Sequence, residues 1–142
     1  PYHAALAGLI AETVRQFGCC LLIDCHSMPA QVPPLGRPRQ AEIVLGDAHG
    51  TSCAALATRR VEEGLGRLGL VVRRNEPYAG GYVTRHYGRP REGVHALQIE
   101  IARALYMDEV RIERGPGFAT LQRDLTRLIE ELAAADWTAL RP

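Results

Sequence analysis

The chain has 142 residues, the usual size of one domain, of which 46% are apolar and 23% charged. Those proportions exclude disordered, collagen-like and coiled-coil chains. All 17 basic residues are arginine and 16 acids offset them. The resulting net charge of +1 lacks the one-signed field on which nucleic-acid and membrane-surface proteins depend.

The longest apolar run, 4–11, is far short of the roughly 20 residues of a membrane span. No start methionine or basic leader opens the chain. Pro1-Tyr2-His3 is therefore read as the beginning of a processed protein or of a piece of a longer one.

In chain order, Leu6, Leu9, Ile10 and Val14 recur at helical spacing and predict a helix over 2–16, ended by Gly18. Residues 19–24 form a short apolar run that predicts a buried strand. Cys19, Cys20, Cys25 and Cys53 have no zinc-ribbon or thioredoxin spacing, and they are read as reduced, buried small hydrophobes of a cytoplasmic protein. Four prolines make 27–40 a loop. A second strand is expected over 42–46 and a helix over 52–67, with Thr51 or Ser52 as its cap. A third strand follows over 69–73, a long Gly-, Pro- and Tyr-rich loop over 74–93, and a fourth strand over 94–101. The last helix spans about 117–135, with Leu121, Leu125, Leu128, Ile129 and Leu132 on one face.

Short apolar strands alternating with helices predict a single α/β domain, its sheet mostly parallel and covered by helices on both faces. Sites in such sheets form at the carboxyl ends of strands. That rule directs attention to 24–27, 46–49 and the loop after Arg73.

His26 follows the first strand and shares a strand face with Asp24. It is open to two readings: a zinc ligand, or a loop histidine bonded to its own backbone. Glu100 stands with Gln98 on the polar face of a strand whose other face holds Leu97, Ile99 and Ile101. An unpaired carboxylate inside a covered sheet costs several kcal/mol. Glu100 is thus paired, or it opens onto a wet site, where a carboxylate near the end of a strand could act as a general base; the other reading is an edge strand with Glu100 in solvent. In the 74–93 loop, Arg74, Arg85 and Arg89 can each grip a carboxylate. His86 is a further ligand or acid–base candidate, and Gly80-Gly81 allows close approach of backbone to a ligand. The same loop can also be a solvated basic surface.

Taken together, Ile-Asp-Cys-His-Ser-Met-Pro (23–29), Ile-Val-Leu-Gly-Asp (43–47) with Gly-Thr-Ser-Cys (50–53), Arg-Asn-Glu-Pro-Tyr-Ala-Gly-Gly-Tyr (74–82), His-Tyr-Gly-Arg-Pro (86–90) and Leu-Gln-Ile-Glu-Ile (97–101) with 103–107 resemble the N-formylglutamate amidohydrolases. The resemblance covers nearly the whole chain in order. It implies a fold related to the zinc carboxypeptidases and hydrolysis of N-formyl-L-glutamate, a small anionic substrate, late in histidine breakdown. It implies that His26 ligates zinc, with the other ligands upstream of Pro1, and that Glu100 is the general base. Arginines of the 74–89 loop would hold the substrate carboxylates. The family is about twice this long, so the chain is expected to be the carboxyl-terminal part of the catalytic domain. By itself it is then expected to bind zinc weakly and turn over little substrate. Two other readings stay open: a related metal-dependent amidohydrolase or aminoacylase of other N-acyl amino acids, and a non-catalytic fragment serving as a binding module. One position departs from the family pattern: Ala102 stands where an asparagine is expected.

Overall fold

In the computed structural model, which describes residues 1–30 and 41–142, the most buried strand is β4, Val94–Ala102. Seven of its nine residues are buried. A strand buried to that degree has neighbours on both edges and layers on both faces. β1 (Cys20–Met28) pairs with it in parallel, and β2 (Ile43–Gly46) pairs with its other edge in antiparallel register. β3 (Val72–Arg74) lies outside β2 and runs parallel to it, so the sheet order is β1-β4-β2-β3. Two of the three pairings are parallel, as expected; β2–β4 is not. A parallel return requires a crossover, and α2 (Ala55–Arg67) supplies one between β2 and β3. Between β3 and β4 the only α-helix is the six-residue α3 (Tyr82–Tyr87), and β4 enters the sheet in the opposite direction.

Side chains alternate across the sheet. Leu21 and Ile23, Leu97 and Ile99, and Ile43 and Leu45 form one apolar face. It packs against Ala57, Val61 and Leu65 of α2 and against Leu125 and Leu128 of α4 (Phe118–Ala134). Gly64 permits the contact between those helices, since a Cβ there would lie 2.5 Å from Leu128 Cδ1. On the opposite face, Leu6, Ile10 and Val14 of α1 (Tyr2–Phe17) join Val83 and Tyr87 of α3 over Cys20 and Leu22. Helices thus cover both faces, as the alternation predicts. None of the described helices is long and apolar enough to cross a membrane.

Several boundaries differ from expectation. β1 continues through Met28, so His26 and Ser27 stand within the strand. Residues 31–40, most of the expected proline loop, lie outside the described residues. Neither Thr51 nor Ser52 caps α2: the first donates to the Ala48 carbonyl and the second to the Ala96 carbonyl. Ile129, assigned to the inner face of α4, is 65% exposed, and Cys25, expected to be buried, is exposed near the end of the edge strand β1. A two-strand hairpin, β5 (Met107–Asp108) and β6 (Glu113–Arg114), precedes α4.

Candidate functional site

On the face that carries α1 and α3, the sheet register sets polar residues side by side. Asp24, Gln98 and Gly46 form one row across β1, β4 and β2, and His26, Glu100 and Val44 form the next. Neighbouring strands are about 4.8 Å apart, so these rows make one small polar field. On each long strand two polar side chains meet along its length, and on β4 they are hydrogen-bonded. His26 Nε2 lies 3.1 Å from Asp24 Oδ2, and Gln98 Nε2 donates to Glu100 Oε1 at 2.8 Å. Met28, Val44 and Ala102 pack together beyond Glu100. At the position where the family pattern expects asparagine, only a methyl group is therefore present.

Glu100 is 7% exposed and Gln98 4%. Among the described residues, Glu100 Oε2 has no hydrogen-bond partner. Asp24 Oδ2 is buried and makes no aligned hydrogen bond, although the His26 ring is close. One imidazole and one carboxylate oxygen of this kind are donors that zinc accepts, but a catalytic zinc takes three protein ligands. No three His, Cys, Asp or Glu side chains gather as a metal cage among the described residues.

The segment before α3 closes the field from the β2 side. Gly46 has no side chain, and a Cβ there would lie 2.6 Å from the Gly80 nitrogen and 2.7 Å from the Ala79 carbonyl carbon. The 79–81 backbone can lie on the sheet only because that space is open. Gly81 N–H then donates to Gln98 Oε1 at 2.7 Å. From this anchor α3 carries Arg85 and His86, which with Gly80, Gly81 and Tyr82 line an open hollow beside the polar field. The His86 ring stacks on Tyr82 with centroids 4.8 Å apart.

The structure thus brings His26 and Glu100 to paired register positions on β1 and β4, while Arg85 and His86 line a separate exposed hollow on α3, and His26 itself stands exposed near Ile101, Phe118 and Leu121. Neither place holds Arg74 or Arg89. Arg74 is ion-paired with Glu62 of α2, the helix on the other face. Arg89 bridges to Val94 at the opposite end of β4, about 20 Å along the strand from Glu100. The turn after β2, also expected near the site, faces away from it, because β2 runs against β4. Asp47 there is consumed by structure, accepting from Gly50 N at 2.9 Å, Asn75 Nδ2 at 2.8 Å and Thr58 Oγ1 at 3.1 Å. From the sequence alone, Gln98 shares a strand face with Glu100 and carries no role. Its signal was a second polar residue on a face that should be covered, two positions before the glutamate.

Fold and site together define an α/β protein that holds a buried carboxylate and amide, with an exposed imidazole beside them, on one face of its sheet. Residues 1–107 match the family model of N-formylglutamate amidohydrolase, and the chain belongs to that family. It is 41% identical over 110 residues to an N-formylglutamate deformylase of Pseudomonas aeruginosa, covering 77% of this chain and 41% of that protein. The corresponding protein of Pseudomonas putida is 34% identical over 113 residues, with the same coverage of 77% and 41%. A crystal structure of N-formylglutamate amidohydrolase from Ralstonia eutropha JMP134 superposes with a TM-score of 0.84 at 44% identity, over 94% of this chain and 49% of that one. The chain spans less than half the length of each of these relatives.

Proposed function

We propose that the whole protein carrying this chain hydrolyses N-formyl-L-glutamate to formate and L-glutamate, with Glu100 as general base. The observation that supports this most is the state of Glu100. It is a buried carboxylate with one oxygen held by Gln98 and the other unclaimed among the described residues, in register with His26. Oε2 takes a proton from the attacking water. It then returns that proton to the amide nitrogen as the C–N bond breaks, which leaves formate and the free amine of glutamate. The apolar neighbours Val44 and Ala102 keep bulk water from the carboxylate.

His26 is the zinc ligand in this reading. Its ring lies beside Asp24, with Nε2 3.1 Å from Oδ2, a neighbour of the kind that orients a ligating histidine. The remaining ligands would come from the length of the relatives that this chain does not span. When bound, zinc supplies a Lewis acid for the formyl carbonyl and lowers the pKa of a bound water. Arg85 and His86 line the hollow beside Gly81 and hold the carboxylates of the substrate. The chain then forms the carboxyl-terminal part of a catalytic domain related to the zinc carboxypeptidases. The proposal includes a place in histidine breakdown and a cytoplasmic setting.

Formate release by the whole protein, measured with N-formyl-L-glutamate and N-formyl-L-leucine, tests the assignment. A preference of about 100-fold or more in kcat/KM for the glutamate derivative is expected, and Arg85→Ala should erode it. Equal turnover of both substrates would overturn the specificity. Activity that persists in His26→Ala after metal removal would overturn the zinc assignment.

A further inference from the structure

We propose that Gln98 is a positioning residue that couples the docking of the 79–81 segment to the orientation of the Glu100 carboxylate. The inference rests on the reading of Glu100 as base and goes beyond it. Gln98 stands between two groups of fixed hydrogen-bonding sense. Gly81 N–H can only donate, and an ionised carboxylate can only accept. A side-chain amide satisfies both at once. Its Oε1 accepts from Gly81 at 2.7 Å, and its Nε2 donates to Glu100 Oε1 at 2.8 Å. Turned over, the amide would set N–H against N–H at Gly81 and oxygen against oxygen at Glu100. Its orientation is therefore fixed by its partners. Gln98 is 4% exposed, so water does not readily replace either bond.

The surroundings leave Gln98 little freedom. Gly46, its register partner on β2, gives the 79–81 backbone its seat. A Cβ on Gly81 would lie 3.2 Å from Gln98 Oε1, so the approach is close on that side as well. When the segment leaves its seat, Oε1 loses its donor and the amide is free to turn. Glu100 then loses the bond that holds Oε1 and leaves Oε2 toward the reacting water. The segment that bears Arg85 and His86 is thereby tied to the proton-transfer group through a single side chain. Substrate bound in the hollow would steady the base from a distance.

Gln98→Met in the whole protein keeps the side-chain length and removes both bonds. Its kcat for N-formyl-L-glutamate is expected to fall about 10- to 100-fold, the scale seen when partners that orient active groups are removed, and its KM should rise because the 79–81 segment is untied. Gln98→Glu retains an acceptor for Gly81. It should keep KM near the unsubstituted value while kcat falls, and it carries the comparison if Gln98→Met does not fold. The decisive readout is the double substitution. If Gln98 acts through Glu100, Gln98→Met should change kcat less than about twofold in a Glu100→Gln background. An equal fall in both backgrounds would show that Gln98 acts independently, and the proposal fails. Unchanged kcat in both single Gln98 variants would overturn it while leaving the base assignment intact. Unchanged kcat in Glu100→Gln alone would remove the base reading itself.

Discussion

The turn after β2 and the polar face of β4 each bury a carboxylate, Asp47 at 5% exposure and Glu100 at 7%. Asp47 accepts three hydrogen bonds, two on Oδ1 and one on Oδ2. Its turn needs them. Ala48, His49 and Gly50 all have positive φ, and Asn75, itself at φ 59, accepts from the backbone N–H of Asp47 and His49. Left-handed non-glycine residues cost roughly 1–2 kcal/mol each, and the carboxylate helps to offset that cost. Glu100 has one partner, Gln98, and a second oxygen with none among the described residues. Burial alone does not distinguish a structural carboxylate from a reactive one. The number of its own bonds does.

That contrast can be broken most strongly at Asp47. Asp47→Ala orphans Gly50 N, Asn75 Nδ2 and Thr58 Oγ1 and is expected to cost about 3–5 kcal/mol in urea unfolding. A loss below 1 kcal/mol would mean that the turn holds itself. Leu97→Ala, on the apolar face of the strand that carries Glu100, should cost about 2–4 kcal/mol with no comparable loss from Glu100→Gln. Equal losses would erase the division of labour between the two faces.

Cys53 sharpens the comparison through pH. Burial, opposed by a hydrogen bond with Thr58 and reinforced by the nearby Asp47 charge, pushes its thiol from 9.0 to about 11. The folded state thus favours the neutral thiol. The stability this contributes is complete below about pH 9 and is lost as pH rises toward 11. Unfolding midpoints should therefore fall across that window, by about 2 kcal/mol in free energy, and the fall should be shallower in Cys53→Ala. A profile that is the same with and without the thiol would contradict this. The smallest effect belongs to Arg74. Its ion pair with Glu62 lies on the surface of the other face, so Arg74→Ala should cost under about 1 kcal/mol and leave KM for N-formyl-L-glutamate unchanged. A large rise in KM would return Arg74 to the substrate.

Much of this was legible in the sequence. Short apolar runs marked the four strands of the main sheet, and apolar periodicity the three long helices, because burial leaves a regular record; the β5–β6 hairpin and α3, inside the expected 74–93 loop, are too short to leave one. Alternation over 97–101 put Glu100 on the face opposite Leu97 and Ile99, and parity put His26 with Asp24. The direction of β2 was not legible. Strand sense depends on how the connections cross the sheet, and Ile43–Gly46 is buried throughout whichever way it runs. That error drew attention to Asp47. Composition likewise could not sort the arginines, since Arg74 and Arg85 differ only in which face their segments reach. Gly46 carries no side chain whose periodicity could be read, although the space above it seats the segment that leads to Arg85.

Glu100→Gln in the whole protein, followed by formate release and urea unfolding on the same preparation, bears most directly on the role of the open carboxylate. The substitution keeps the oxygen that Gln98 donates to and removes the proton acceptor. The expected result is a fall in kcat of about 10²- to 10⁴-fold with an unfolding free energy within about 1 kcal/mol of the unsubstituted protein. A kcat within a few-fold of the original, with the protein equally stable, would show that Glu100 is not the base.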